Sequence, residues 1–301
     1  MREKALVAIV KGGLGNQLFI YAAARALALR RGRRLYLDIL RGYTADDYGR
    51  SYRLDRFPIA ASVMPEAWRV APDLRDWRHR VTRALNKMLP LQWRSYLGER
   101  RGTTMADLGV VGRRRALITL NGYWQNEAYF ADAALHLRRE LNVPAPAAES
   151  LRKRGEALAE AGSVFLHVRR IRYSPVLDAG YYQQAIDQAC SALRNPMFVV
   201  FGDDLEWVRA SLDFRGRVVE FQAYDGGDEF TDLWLMTKCR HAIIANSSFS
   251  WWAAWLGGEA SAHRLVWAPM RTGLPLVNGG GWRLLETDLT EMSRRGAQDA
   301  G

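Results

Sequence analysis

A glycine-rich turn near the N-terminus constrains the fold of this chain more than any other feature. The apolar run Ala5–Val10 is followed by the turn Gly12–Asn16, and helical periodicity then extends from about Gln17 to Arg31, where Gly32 closes the helix. A second apolar run, Leu35–Ile39, comes next. A strand, a glycine turn, a helix and a strand in this order predict an α/β domain built on a parallel sheet.

The rest of the first half has weaker periodicity. Residues 41–115 carry scattered tryptophans, prolines and basic residues, which predicts helices and loops inserted over the sheet. Ala116–Leu120 reads as a returning strand and Glu127–Leu141 as one helix. The segment Asn142–Ala147 follows with two prolines among small residues, and such a segment ends a helix and is typical of a linker.

A second α/β pattern begins after the linker. Five short apolar strands are predicted, at Ser163–His167, Met197–Phe201, Arg217–Phe221, His241–Ala245 and Arg264–Ala268. Helical runs separate them near 180–194, 203–212, 228–239 and 248–257. We therefore predict two doubly wound domains, 1–146 and 147–301, with a ligand in the cleft where the carboxyl ends of their strands face each other.

Two of the predicted strands end in groups that suit an anion. At the end of the first, His167 and Arg169 leave one face of the sheet and Arg170 the other, so that a diphosphate would fit there. Ordinary solvated arginines at a strand end are the alternative reading. After the strand at 241–245, the hydroxyls of Ser247, Ser248 and Ser250 and the start of a helix form an anion cradle. Its alternative is serine N-capping with the following tryptophans in the core.

Two further motifs carry weaker signals. The glycine turn lacks the spacing of a dinucleotide fingerprint and the Lys-Ser/Thr of a P-loop, and it is also compatible with a tight turn in which Asn16 caps the helix. Asp203 and Asp204 follow another strand, but two carboxylates with no third ligand nearby make a poor metal site. We expect these carboxylates to accept hydrogen bonds at a helix start, and we predict no metal.

The charge and the cysteine content limit the possible binding partners and the cellular compartment. The net charge is +11, and residues 68–115 alone hold twelve basic and four acidic side chains. Such a stretch suits a nucleic acid, a phosphorylated small molecule or an anionic membrane surface, and an ordinary solvated surface is the alternative reading. With two cysteines and an early apolar run too short for a membrane span or a signal peptide, we expect a cytoplasmic protein.

Several motifs together resemble glycosyltransferase family 11, the α-1,2-fucosyltransferases. They are GGLGNQLF at 12–19, NGYWQNEAYF at 121–130, HVRR at 167–170, YYQQAI at 181–186, FGDD at 201–204 and CRHAIIANSSFSWWAAWL at 239–256. The resemblance implies a GT-B fold of two Rossmann-like domains, an N-terminal acceptor-side domain and a C-terminal domain that binds the GDP-sugar. It further implies transfer of L-fucose from GDP-fucose, with inversion and without a metal or cofactor, to the 2-hydroxyl of a terminal galactose.

The resemblance also assigns roles to residues. Arg169 would grip the diphosphate, with Ser247, Ser248 and the helix start completing the cradle, and His167 and Asp232 would hold the guanosine. The remaining residues expected to bind the donor or face the sugars are Gly13, Gly15, Asn16, Gln17, Arg170, Asp203, Asn246 and Ser250. The loops at 41–115 would select the acceptor, a galactose-terminated glycan of a surface polysaccharide or its lipid-linked precursor.

One departure from the family pattern concerns the catalytic base, the group that would accept the proton of the acceptor hydroxyl. After HVRR the family usually continues Gly-Asp-Tyr, whereas this chain reads Ile171-Arg172-Tyr173. An inverting transfer needs a group that takes the proton of the acceptor hydroxyl, and a carboxylate is the usual choice. Asp178 is the first candidate to replace the missing acid and Glu127 the second, while a largely dissociative departure of GDP would leave a base little to do.

Three hypotheses result. The first is a GDP-fucose-dependent α-1,2-fucosyltransferase whose basic stretch, with Trp77 and Trp93, brings it to the anionic cytoplasmic face of the inner membrane. The second keeps the fold and changes the donor or acceptor. The third is a non-catalytic nucleic-acid-binding protein, which is disfavoured because the basic stretch shows no stacking motif and the phosphate-type features lie at strand ends. We predict no nucleic-acid partner.

Overall fold

The computed structural model describes residues 4–44, 46, 48–68, 81, 84–86, 88–171, 175–222, 228–260, 263–270, 281–287 and 289–290. The chain divides into two compact units, Met1–Asn142 and Val143–Gly301, called here the N-terminal and C-terminal units. Most of the basic stretch before residue 88, including Trp77, lies outside the described residues.

The N-terminal unit is built on a five-stranded parallel sheet. Its strands are β1 (Ala5–Ile9), β2 (Arg34–Asp38), β3 (Ser62–Val63), β4 (Tyr96–Gly98) and β5 (Leu117–Asn121), in the order β3-β2-β1-β5-β4. All five residues of the central strand β1 are buried, as expected of a strand covered on both faces. The helices of this unit whose bounds lie within the described residues are α1 (Leu14–Arg31), α2 (Met105–Val110) and α3 (Ala134–Glu140).

Helix α1 begins at Leu14, about three residues before the predicted start at Gln17. Gly13 is the N-cap, in an extended conformation, and its carbonyl accepts the N–H of Asn16 at 3.0 Å. The alternative in which Asn16 caps the helix is therefore wrong, because Asn16 already lies in the first turn. The helix ends as predicted at Gly32, whose φ of 55° is left-handed and so favours glycine.

Two predictions for residues 41–141 are corrected. Strands β3 and β4 lie in a stretch predicted as helices and loops, since two or three residues are too few to show alternation. The single helix predicted over 127–141 is also wrong. Two short 3-10 helices, Glu127–Tyr129 and Ala131–Ala133, precede α3, and Phe130 between them has the non-helical φ of −141°.

The C-terminal unit holds a six-stranded parallel sheet. Its strands are β6 (Ser163–Val168), β8 (Met197–Gly202), β9 (Val219–Phe221), β10 (His241–Ile243), β11 (Val266–Pro269) and β12 (Trp282–Leu285). A separate antiparallel pair consists of β7 (Val176–Leu177) and β13 (Leu289–Thr290). The helices are α4 (Glu149–Glu160), α5 (Ala179–Ala192), α6 (Leu205–Ser211), α7 (Glu229–Lys238) and α8 (Ser248–Leu256). All five predicted strands are present, and β7, β12 and β13 were not predicted.

The strand order of this sheet locates its binding edge. The order is β12-β11-β10-β6-β8-β9, so the chain winds outward from β6 in one direction and then from β10 in the other. In open sheets of this kind ligands bind outside the carboxyl ends of the two strands at which the direction reverses. The reversal here lies between β6 and β10.

Candidate functional site

The three polar motifs of the C-terminal unit meet at one sheet edge. Strand β6 pairs with β10, matching Leu166 to Ile243, and with β8, matching Val168 to Gly202. The residues that follow these strands are therefore neighbours. Arg169 and Arg170 follow the middle strand, Asp203 and Asp204 follow one flanking strand, and Asn246–Ser248 follow the other.

The two arginines after β6 are held in different ways. Nη1 of Arg169 lies 2.9 Å from Oδ2 of Asp203, and 43% of the Arg169 side chain is exposed. Arg170 instead donates its backbone N–H to Oδ1 of Asp203 at 2.8 Å, and its guanidinium carbon lies 3.9 Å from the centre of the Trp207 ring. Nε of Arg170 also pairs with Asp204 at 3.3 Å. We interpret Arg169 as the arginine presented to an anion and Arg170 as one packed against the protein.

The start of α8 forms the other wall of this edge. Ser247 caps the helix, with its Oγ accepting the N–H of Phe249 at 3.3 Å. Ser250 is fully buried, and its hydroxyl accepts from the N–H of Ala245 and donates to the carbonyl of Ser247, both at 3.2 Å. The expectation that Ser250 binds an anion is therefore corrected, because its hydroxyl is used within the turn. The tryptophans at 251, 252 and 255 are buried. The alternative in which serine caps the helix and the tryptophans pack in the core is therefore also correct.

His167 is buried beside Arg169 at the end of β6. Its ring centre lies 5.9 Å from that of Phe249, and its Nδ1 has no hydrogen-bond partner among the described residues. Burial and, second, the Arg169 charge lower the pKa of His167 to about 3. The imidazole is consequently neutral at pH 7, which suits a hydrogen bond with an uncharged ring.

The buried histidines predict a loss of stability in acid. Burial lowers the pKa of His241 as well, to about 4. Both groups have folded-state pKa values below the unfolded value of about 6.5, so their contribution is complete above pH 6.5 and declines as the pH falls toward 3. We expect the free energy of unfolding in urea to fall below pH 6.5, by up to about 1.4 kcal/mol per pH unit for each histidine.

The His167→Gln variant isolates one of these contributions. It should show a shallower decline between pH 6.5 and 5 than the parent protein. His136→Gln, which replaces an exposed histidine, is the matched control and should leave the decline unchanged. Identical slopes in all three proteins would contradict the assignment of the acid sensitivity to buried His167.

The N-terminal unit carries its own polar cluster at the carboxyl ends of β1, β5 and β4. Nζ of Lys11 donates to Oδ1 of Asn121 at 2.9 Å and lies 4.7 Å from the centre of the Tyr123 ring. Nδ2 of Asn121 in turn donates to the hydroxyl of Tyr96 at 2.7 Å. Burial lowers the pKa of Lys11, and the Glu99 carboxylate partly opposes this shift.

Sequence reasoning missed this cluster. Lys11 stands directly between the first strand and the glycine turn, a position that could have singled it out. Glu99 follows β4, which is too short to be recognised from its pattern.

The residues of the glycine turn that were predicted to face the sugars differ in their surroundings. Asn16 lies in it, and its Oδ1 accepts from Nε2 of Gln125 at 2.7 Å. Gly13 is open, since a Cβ there would meet nothing within 4 Å, whereas Gly15 is buried. Gly12 is the position that needs glycine, because its φ is +75° and a Cβ would lie 2.8 Å from Nδ2 of Asn16.

Gln17 does not take the role predicted for it. The side chain is fully buried, and its Nε2 donates to the carbonyls of Gly12 at 2.9 Å and Ser51 at 2.8 Å. Its Oε1 accepts the N–H of Arg53 at 2.9 Å. The expectation that Gln17 faces a sugar is corrected, because backbone groups occupy its amide and it fastens the 51–53 segment to the glycine turn.

The remaining candidates lie in structured positions. Asp178 caps α5 through the N–H of Tyr181 at 3.0 Å, Asp232 lies half-buried in the first turn of α7, and Glu127 begins a 3-10 helix. Asn246 donates to the carbonyl of Pro175 at 3.4 Å. Their proposed roles stay predictions. Residues 172–173 of the departure from the family pattern lie outside the described residues, and within those described no group of three His, Cys, Asp or Glu could hold a metal.

The chain is similar to known glycosyltransferases over most of its length. The profile of glycosyl transferase family 11 matches residues 117–266. An alpha-1,2-colitosyltransferase of Escherichia coli is 31% identical over 261 residues, covering 83% of this chain and 87% of the relative. The galactoside 2-alpha-L-fucosyltransferase SEC1 of Bos taurus is 25% identical over 291 residues, covering 88% and 71%. A solved structure, an Arabidopsis thaliana FUT1 mutant in complex with GDP, matches with a TM-score of 0.53 at 14% identity, covering 90% of this chain and 71% of that one.

The two parallel-sheet units define a GT-B-type α/β fold, as predicted. By similarity over most of its length to the colitosyltransferase, the chain belongs to glycosyl transferase family 11 and is a glycosyltransferase. Within the part of the chain that the structure describes, no helix is long and apolar enough to cross a membrane.

Proposed function

We propose that this protein transfers L-fucose from GDP-fucose to the 2-hydroxyl of a terminal galactose, with inversion and without a metal ion. The observation that carries the proposal is the Arg169 guanidinium, aligned by Asp203 beside the N-terminus of α8 at the reversal point of the sheet. The names of the bovine relative and of the GDP complex support the donor and the linkage.

The chemistry of the donor follows from this edge. As the bond to the sugar breaks, negative charge develops on the diphosphate of GDP. Arg169 and the N–H groups at the start of α8, with Ser247 and Ser248, would stabilise that charge, which is the task a metal ion performs in other enzymes. The neutral imidazole of His167 and the side chain of Asp232 would form hydrogen bonds with the guanosine.

The N-terminal unit is proposed to bind the acceptor. Its polar cluster, with Gly13 and Asn16 in the adjoining turn, offers amide and hydroxyl groups together with the exposed Tyr123 ring. Aromatic faces and neutral hydrogen-bonding groups are what a galactoside requires, since a sugar carries many hydroxyls and little charge.

A second donor is favoured by a specific observation. The 31% identical relative is named for colitose, which is L-fucose lacking the 3-hydroxyl. The departure Ile171-Arg172-Tyr173, which follows HVRR in the sequence, gives the same hypothesis a second motive. Turnover with GDP-colitose and none with GDP-fucose would establish this alternative and overturn the fucose proposal.

Thermal melting tests the donor directly. GDP and GDP-fucose should raise the melting midpoint, while UDP-glucose should not, because a ligand that binds only the folded state stabilises by about 2.7 kcal/mol at a hundred times its Kd. EDTA should leave the shift unchanged. A midpoint that no GDP compound moves, or a shift that EDTA abolishes, would contradict the proposed metal-independent donor site.

We also propose peripheral contact with an anionic membrane surface. Trp93 is 40% exposed, and the guanidinium carbon of Arg114 lies 5.2 Å from its ring centre, in a stretch rich in arginine. Exposed aromatic and cationic groups together suit a lipid interface. Protein that concentrated salt fails to release from isolated membranes would count against this electrostatic contact.

A further inference from the structure

We propose that Glu99 is the general base, the group that removes the proton of the acceptor hydroxyl. The inference rests on the proposed function and names a carboxylate that sequence reasoning did not select. Glu99 follows β4 at the carboxyl edge of the N-terminal sheet, and its N–H donates to the carbonyl of Asn121 at 2.9 Å. It therefore belongs to the same edge as Lys11 and the glycine turn.

One oxygen of this carboxylate is fixed by the backbone. Oε2 of Glu99 accepts the N–H of Tyr123 at 2.7 Å and the N–H of Trp124 at 2.9 Å. Two amide donors hold the carboxylate in one orientation. A base whose direction is fixed before the substrate arrives loses little entropy during proton transfer.

The backbone next to the Glu99 side chain is crowded and conformationally strained. A Cβ on Gly122 would lie 2.3 Å from Cβ of Glu99 and 2.7 Å from Oε2, so only glycine fits there. Trp124 has a φ of 54°, a left-handed conformation that is rare for a large residue. Strained backbone of this kind clusters at functional sites. Here both features serve to present amides to a single carboxylate.

The other oxygen is the one available for chemistry. Oε1 of Glu99 receives no hydrogen bond from the described residues, and the side chain is only partly buried. The Lys11 ammonium acts on this carboxylate electrostatically. A carboxylate with one fixed and one uncommitted oxygen offers a positioned acceptor for the proton, which is what a general base requires.

The two carboxylates suggested by the sequence are less suited. Asp178 uses its Oδ1 to cap α5, so its loss would weaken a helix start. Glu127 begins a 3-10 helix, and its backbone carbonyl accepts the N–H of Phe130 at 2.9 Å. Within the described residues Asp178 accepts one backbone N–H, from Tyr181, whereas Glu99 accepts two.

The proposed step balances without a further reactant. The acceptor oxygen forms a bond to the anomeric carbon of the donor sugar, and the bond from that carbon to the diphosphate oxygen breaks with its electron pair remaining on GDP. The acceptor proton passes to Oε1 of Glu99 and afterwards to water.

The Glu99→Gln variant tests the assignment. Glutamine keeps a carbonyl oxygen for the two amides, so the melting midpoint and its shift by GDP should match the parent protein. We expect kcat to fall by roughly 10²–10⁴-fold with little change in KM for the donor, since general base catalysis contributes that much. The acid limb of the pH–rate profile, which reports the base, should disappear. Glu127→Gln and Asp178→Asn test the two competing candidates, and the acid limb should persist in both if Glu99 is the base.

The outcomes separate this inference from the proposed function. If the parent protein transfers fucose and Glu99→Gln keeps both its kcat and its acid limb, Glu99 is not the base and the function stands. A kcat loss confined to Asp178→Asn or Glu127→Gln would also overturn the inference. A parent protein that binds no GDP compound and transfers no fucose would instead refute the proposed function.

Discussion

Replacing Arg169 by alanine is expected to lower kcat/KM for transfer by at least about a hundredfold. The guanidinium would face the diphosphate as its charge develops, and the loss of one such preorganised donor costs 10²–10³-fold in comparable sites. The fold should be unaffected, because the side chain is 43% exposed and its partner Asp203 also accepts the backbone N–H of Arg170.

Arg215→Ala is the matched control for this variant. Arg215 also belongs to the C-terminal unit, its side chain is 49% exposed, and its Nε lies 2.8 Å from Oδ1 of Asp187. The two substitutions thus remove arginines of similar exposure that each pair with a carboxylate, and only Arg169 lies at the reversal point of the sheet. Initial rates and GDP-dependent melting should change for Arg169→Ala alone. Unchanged turnover in Arg169→Ala would remove the diphosphate site proposed here.

Much of the fold could be predicted because the long central strands have local signatures in the sequence. Buried parallel strands such as Ala5–Ile9 appear as unbroken apolar runs, and the turns after them are rich in glycine, serine or aspartate. The strands β3 and β4 escaped because their positions depend on pairing with residues far along the chain. The helix predicted over 127–141 failed for a related reason, since a turn at Phe130 breaks a pattern that is otherwise helical.

The candidate site was predictable only where function coincides with a strand end that carries a distinctive motif. Sequence reasoning selected Arg169 and Ser247 in this way, and their roles remain proposals. Polar residues at correct positions can still face inward, as Gln17 and Ser250 do, and only the three-dimensional structure distinguishes a side chain that binds a ligand from one that binds the backbone. Glu99 was overlooked for the opposite reason. The two amides that orient its carboxylate lie more than twenty residues away in the sequence, so no local motif marks it.

Gln17→Met should destabilise the N-terminal unit by about 3 kcal/mol. Methionine matches the length of glutamine and keeps the site filled, but it leaves the carbonyls of Gly12 and Ser51 and the N–H of Arg53 without their partner. Each buried polar group left unsatisfied costs about 1–3 kcal/mol, and part of that cost is recovered where the 51–53 segment moves into water. Urea unfolding measures the loss as a lower midpoint with the slope unchanged.

Gln183→Met provides the comparison that gives this result its meaning. Gln183 also makes three hydrogen bonds, to Asp187, to the carbonyl of Asp213 and from the N–H of Asp213, but at a partly exposed surface. Water can replace those bonds, so we expect a loss of less than about 1 kcal/mol. Equal losses in the two variants would mean that Gln17 is not the buried fastener of the glycine turn, and its predicted role of facing a sugar would then be open again.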